Sequence, residues 1–213
     1  MNNSNRWEQF AGSIGMTSAK SKAEVWYDFE EFIIKGIIIS STDSRLFTSL
    51  FFVIKSSINI LSPNKLYKIA NKFFDKNKEW KILCFMIDNS LDETRSKTQW
   101  GNFLKKTSKN ITKRKEQLFS VKAFRENKRF LKWYLSADNI DLENKNKYLK
   151  EKLFLNHPLI RSRLLGTKVV YSDIIFFKSW YDISKVSLRK LSSIIYHDPA
   201  QLCEAMGNLV LVT

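Results

Sequence analysis

Lys105, Lys106, Lys109, Lys113, Arg114 and Lys115 fall within eleven residues, in "KKTSKNITKRK". Six cations so close together can meet several phosphates on one surface, and each phosphate neutralised releases condensed counterions. The chemistry they offer is affinity for a polyanion, independent of sequence and weakened by salt. Groups suited to covalent chemistry are far scarcer. His157 and His197 are the only histidines, forty residues apart, and His157 precedes Pro158 at a helix start, as a surface residue of the capping region would. No HExxH, phosphate-binding loop, dinucleotide fingerprint or GxSxG occurs. Carboxylate pairs such as Glu30/Glu31 and Asp92/Glu93 are adjacent in sequence, so they do not face one another on a helix. Cys84 and Cys203 form no CxxC and no Cys/His cluster, which points to two buried, reduced thiols. The expectation is a protein with no catalytic residue, no metal and no cofactor.

The net charge of +15 is unevenly placed. Residues 1–60 carry six basic and six acidic groups, residues 61–133 nineteen and seven, and residues 134–213 eleven and eight. A central segment at net +12 attracts polyanions, of which nucleic acid is the commonest in a cytosol. The plainer reading is a solvated helix face. An anionic membrane surface fits less well, because the aromatics interleaved with the lysines are needed for the core. The start, "MNNSNRWEQFAGSIGM", lacks the apolar run of a signal peptide. The greasiest segment, "LFTSLFFVIKSSINIL", is interrupted by Lys55 and is too short to span a bilayer. A cytoplasmic protein with no membrane association is expected.

A second constellation lies in "SLRKLSSIIYHDPAQLCEAMGNL", Ser187 to Leu209. Leu188, Leu191 and Ile195 line one side of a first helix, and Leu202, Ala205, Met206 and Leu209 one side of a second. Between them Asp198 is placed to cap and Pro199 to open the second helix. Two short helices, a tight turn and facing apolar sides make the helix-turn-helix pattern. Here the sequence resembles the winged helix-turn-helix domains of bacterial and phage transcriptional regulators, closely over 187–209 and weakly over 157–209. The resemblance implies a regulator, or an antitoxin-like protein of the kind encoded beside a toxin. It makes Thr167 to Trp180 the first helix of a three-helix core, with Gly166 ending the helix before it and Thr167 capping.

Two departures from the family pattern stand out. Tyr196 occupies the place usually held by glycine, and His197 that of an apolar residue, so either the turn is wider or the imidazole packs inward. The residues "LVLV" and Thr213 suffice at most for one short strand or the end of the helix, rather than a full β-hairpin wing. The outward face of that helix presents Ala200, Gln201, Glu204, Gly207 and Asn208, with Arg189 on the helix before it. Gln and Asn can read adenine and Glu can accept from cytosine, although a carboxylate among phosphates costs affinity.

These groups need a helical frame. Gly and Pro are few, at six and three, and capped apolar patterns recur at helical spacing. Ser21 and Glu24 suggest a capping box for a helix through Val25, Trp26, Phe29, Phe32, Ile33 and Ile37. "SSTDS" should cap a central helix from Arg45 to Ile60, "SP" at Ser62–Pro63 should open a third, and "EWKILCFMI" should be buried. From Leu91 to Leu135 apolar residues recur at helical intervals among lysines and arginines. The fold class expected is all-α: a helical bundle over 1–140 with a basic central segment, and a small helix-turn-helix domain over 141–213. The expected function is binding of double-stranded DNA, the basic ridge supplying phosphate contacts and the carboxyl-terminal helix supplying register. The alternative is an adaptor or toxin-neutralising module gripping a protein partner or a second copy of itself.

Overall fold

The computed structural model of the protein describes residues 3–17, 27–91, 97–119, 127–137, 140, 142–164, 168–178, 181, 183 and 186–210. The fold is all-α. In chain order the elements are α1 (Asn3–Ser13), α2 (Phe29–Ser40), α3 (Ser44–Ser57), α4 (Pro63–Phe73), α5 (Asn77–Asp88) and α6 (Lys97–Thr107). A 3-10 turn (Ser108–Asn110), β1 (Glu116–Gln117), α7 (Lys128–Leu131) and β2 (Leu135–Ser136) follow. The chain continues through α8 (Lys145–Tyr148), α9 (Glu151–Asn156), α10 (Pro158–Leu164), α11 (Val169–Lys178), α12 (Leu188–Ile195) and α13 (Pro199–Val210).

Local chemistry sets many of these boundaries. The Asp43 carboxylate accepts from the backbone N–H of Arg45 at 2.9 Å and of Leu46 at 3.1 Å, satisfying donors the first turn of α3 cannot. The Ser62 hydroxyl accepts from Lys65 N–H with Pro63 opening α4. Glu79 reaches back to the N–H groups of Asp75 and Lys76 at 3.1 Å each, closing the start of α5. The second helix begins at Phe29, after non-helical Tyr27 and Asp28, so it is shorter than its apolar pattern implies. The proposed capping box at Ser21 and Glu24, with Val25 and Trp26, lies outside the described residues, as do Asp92/Glu93, Gly166/Thr167 and residues 211–213. Helix α1 lies outside the helices expected from the sequence, and Trp7, Phe10, Ala11 and Ile14 are buried around it.

The basic stretch departs most from the helical expectation. Helix α6 ends at Thr107, and after the 3-10 turn an irregular segment with a bend at Lys113 leads into β1. β1 pairs in parallel with β2, Glu116 opposite Leu135 and Gln117 opposite Ser136. Parallel pairing needs a crossover connection, and the segment holding α7 supplies it. Tyr134, in the left-handed conformation at φ 55°, turns the chain from α7 into β2.

The chain gathers into two compact units: Glu30–Lys150, and Met1–Phe29 together with Glu151–Thr213. The boundary expected at residue 140 falls within the former. In the central unit α3 and α5 pack together and carry the core, and Phe47, Leu50, Phe52, Val53 and Ile54 of α3 and Ile82 to Ile87 of α5 are all buried. Phe85 stacks on Phe130 at 4.0 Å between centroids, and Phe47 meets both rings. Cys84 is buried there, its thiol 3.1 Å from the Thr107 hydroxyl, and burial pushes its pKa up to about 12. Cys203 is exposed, against the expectation of two buried thiols, because it falls on the outward side of α13.

In the other unit the His157 ring lies edge-on to Phe10 at 5.1 Å and tilted against Phe176 at 5.8 Å. It is an interior residue, not the surface capping residue its place before Pro158 suggests, and its buried Nδ1 has no hydrogen-bond partner among the described residues. Burial lowers its pKa from 6.5 to about 4. Between those values the unfolded chain binds more protons than the folded one, so stability is fully present above pH 6.5 and is lost as pH falls toward 4. A shift of this size corresponds to about 3 kcal/mol. Denaturant titrations at pH 7 and pH 4 should therefore show a smaller acid-induced loss for His157→Phe than for the unsubstituted protein, by about that amount. Equal losses would mean the imidazole is not buried neutral.

Candidate nucleic-acid interface

All six cations of the run are exposed, but they come from three kinds of structure rather than one helical ridge. Lys105 and Lys106 lie in the last turn of α6, where positive charge also suits the helix dipole. Lys109 is on the 3-10 turn, and Lys113, Arg114 and Lys115 lie on the irregular segment before β1, with a bend at Lys113. The Lys106 ammonium lies 3.7 Å from the centroid of the Tyr67 ring on α4, close enough for a cation–π contact to orient it.

This irregular segment is fastened by side chains of α5. Asn77 donates from Nδ2 to the Asn110 carbonyl at 2.6 Å, and its Oδ1 accepts from the N–H and the hydroxyl of Thr112 at 3.1 Å each. The fully buried Lys81 donates from Nζ to the Arg114 carbonyl at 2.5 Å and pairs with Glu116 at 2.6 Å. Nearby, the half-buried Lys78 donates to the Ser41 carbonyl at 3.2 Å. Burial lowers its pKa, with Glu116 opposing that shift. Neither Asn77 nor Lys81 stands out in the sequence. Lys81 within the apolar run "EWKILCFMI" is the one available hint, since a lysine there must find a buried partner.

The carboxyl-terminal segment packs as its apolar spacing requires. Ile174 and Phe177 of α11, Leu191 and Ile195 of α12, and Leu202 and Ala205 of α13 form one buried cluster, with Leu188, Ile194 and Met206 partly buried against it. The Ser187 hydroxyl caps α12 through the N–H of Lys190, and Asp198 accepts from Ala200 N–H at 3.0 Å at the start of α13. Ala200, Gln201, Glu204, Gly207 and Asn208 are exposed, and so are Arg189 and Lys190. Asn208 is not idle, because its amide donates to the Tyr171 hydroxyl at 2.9 Å.

Both departures at the turn have a structural answer. Tyr196 adopts φ 58° and ψ 21°, the left-handed conformation that closes a helix and that glycine adopts without penalty. For a residue with a Cβ that conformation costs about 1–2 kcal/mol, so the turn keeps its geometry without the usual glycine. His197 turns inward. Its Nε2 lies 2.8 Å from Asp173 Oδ2, while Asp173 Oδ1 accepts from Arg163 Nη2 at 2.6 Å. All three are buried, and the Arg163 guanidinium also lies over the Phe29 ring. The Ser192 hydroxyl donates to the His197 carbonyl at 2.6 Å, tying the turn back to α12. Sequence reasoning singled out Tyr196 and His197 but not Arg163 or Asp173, which lie on separate helices ten residues apart.

The two sets of candidate residues belong to different units. The six cations lie in Glu30–Lys150, which carries 25 basic and 13 acidic residues. Arg189, Gln201, Glu204 and Asn208 lie in the other unit, which carries 11 and 8. The exposed charges around α12 and α13 nearly cancel, with Arg189 and Lys190 against Asp198 and Glu204. Among the described residues no helix is long and apolar enough to cross a membrane. Comparison with known proteins finds no match to a family model, a curated protein or a solved structure.

Proposed function

We propose that the protein binds double-stranded DNA in the cytoplasm, as a transcriptional regulator or antitoxin-like repressor with a helix-turn-helix in α12 and α13. The observation that carries this reading is the partition of α13. Leu202 and Ala205 are buried against α11 and α12, while Gln201, Glu204 and Asn208 face outward on a helix entered through a tight left-handed turn. A helix so placed can offer polar side chains to base edges. Affinity comes from the other unit, whose exposed Lys105, Lys106, Lys109, Lys113, Arg114 and Lys115 meet phosphates. Phosphate contacts position and base contacts specify, so the two contributions separate by mutation.

Fluorescence anisotropy against duplex DNA at two salt concentrations tests this. Replacing Lys113, Arg114 and Lys115 by glutamine is expected to weaken binding to every duplex and to reduce the salt slope by roughly one unit per lost phosphate contact. Replacing Gln201 and Asn208 by alanine is expected to spare non-specific binding and to erase sequence preference, at about 1–3 kcal/mol per lost bidentate contact. Glu204→Gln should tighten binding by removing a carboxylate from the phosphate field.

A second reading has its own support. Helix α13 contains no lysine or arginine, and Asn208 is engaged by Tyr171, which suits a protein-binding surface. If the lysine variant loses DNA while Glu204→Gln changes nothing, DNA contacts the basic segment alone and α13 is the face for a protein partner.

A further inference from the structure

The exposed charges of Lys113, Arg114 and Lys115 do not explain why their backbone is fastened to α5, and an unfastened run of cations would lose much conformational freedom on meeting phosphates. Three hydrogen bonds from Asn77 hold Asn110 and Thr112, and the buried Lys81 ammonium holds the Arg114 carbonyl. Lys81 has a second effect. Glu116 is the only acidic residue from 97 to 119, and Lys81 engages it at 2.6 Å, neutralising the one carboxylate next to Lys115. A buried lysine that broke even as an ion pair would add little to stability. Here it fixes backbone and balances charge at the same place.

We propose that Asn77 and Lys81 are positioning residues for the phosphate backbone of duplex DNA, holding residues 110–116 so that Lys113, Arg114 and Lys115 stand outward as a preorganised strip. This rests on the DNA-binding reading and adds what makes the strip effective. Neither residue is exposed enough to serve as a principal phosphate contact, since Lys81 is fully buried and Asn77 half-buried with its amide engaged by the loop.

The test is a double-mutant cycle read by anisotropy on a duplex of arbitrary sequence. In the unsubstituted background, Asn77→Ala should weaken binding roughly tenfold at low salt and reduce the salt slope by about one unit, the loss of one phosphate contact. In the background where Lys113, Arg114 and Lys115 are glutamine, the same substitution should change neither, because the groups it positions are gone. Equal losses in both backgrounds, or no loss in the first, would overturn the proposal, since a purely structural role gives one or the other. If circular dichroism shows that Asn77→Ala does not fold, the cycle is run with Thr112→Val. That change removes only the exposed hydroxyl's bond to Asn77 and should weaken binding in the same direction by a smaller factor. Thr112→Val acting equally in both backgrounds, or not at all, overturns the proposal in the same way. An unsubstituted protein that binds no duplex at either salt concentration would remove the DNA-binding reading and this proposal together. Binding lost only on Lys113/Arg114/Lys115 replacement, with Asn77 and Thr112 inert, would remove this proposal alone.

Discussion

Leu191→Asp is expected to unfold the three-helix core of α11, α12 and α13. Leu191 is 1% exposed at the centre of the cluster formed with Ile174, Phe177, Ile195, Leu202 and Ala205. Losing a buried leucine side chain removes about 2–5 kcal/mol, and the aspartate must then desolvate a carboxylate or take up a proton. Whole domains are stable by only about 5–15 kcal/mol, so one substitution can consume most of that margin. The expected result is loss of the helical circular dichroism belonging to α11–α13 and a large drop in midpoint temperature. Arg189→Asp, two residues away and exposed, should leave both nearly unchanged. An unaltered midpoint for Leu191→Asp would show that α12 does not pack through this residue.

The second large effect is expected at Asp173. Its carboxylate lies between Arg163 at 2.6 Å and His197 at 2.8 Å, and all three side chains are buried. Asp173→Ala leaves the guanidinium inside without this carboxylate, a change that costs about 3–5 kcal/mol when a buried pair is broken from one side. The double change Arg163→Met with Asp173→Leu should recover much of the loss, because a buried pair and a well-packed apolar pair of similar volume are often close in stability. Chemical denaturation of the four members of the cycle gives the coupling directly. Hydrogen exchange adds a local readout, since Asp173→Ala should also loosen the turn that His197 anchors. Asp173→Ala within about 0.5 kcal/mol of the unsubstituted protein, the range of ordinary surface changes, would show that the carboxylate is not the keystone of this network.

Where apolar spacing and a cap coincide, the sequence was sufficient. Asp43, Ser62–Pro63 and Asp198–Pro199 each opened the helix expected of them, because one short polar side chain satisfies orphan N–H groups with no help from the rest of the fold. The six cations and the outward face of α13 were legible for a related reason: residues not needed for a core show their exposure in their type. Elements decided by distant partners were not legible. Helix α1 has Trp7, Phe10 and Ile14 on one side, but Gly12, Gly15 and polar neighbours dilute the pattern, and Phe10 is held by His157, 147 residues away in sequence. The strand pairing of Glu116 with Leu135 is also non-local, and the backbone before it is hydrogen-bonded to Asn77 and Lys81. Tyr196 stands where the resemblance leads one to expect glycine, and its backbone is in the left-handed conformation.

The contact between Phe10 and His157 has a consequence for the order of assembly during translation. The unit that holds them is split in sequence, with the whole of Glu30–Lys150 made between its two parts. At synthesis rates of about 5–20 residues per second, the early segment waits of the order of ten seconds for its partner helices. Over that interval Phe10 has Tyr27 as an aromatic neighbour but not His157, although the intervening bundle already has the residues it needs to close. Helix α1 therefore completes its packing against His157 only after the whole of the intervening bundle has been made.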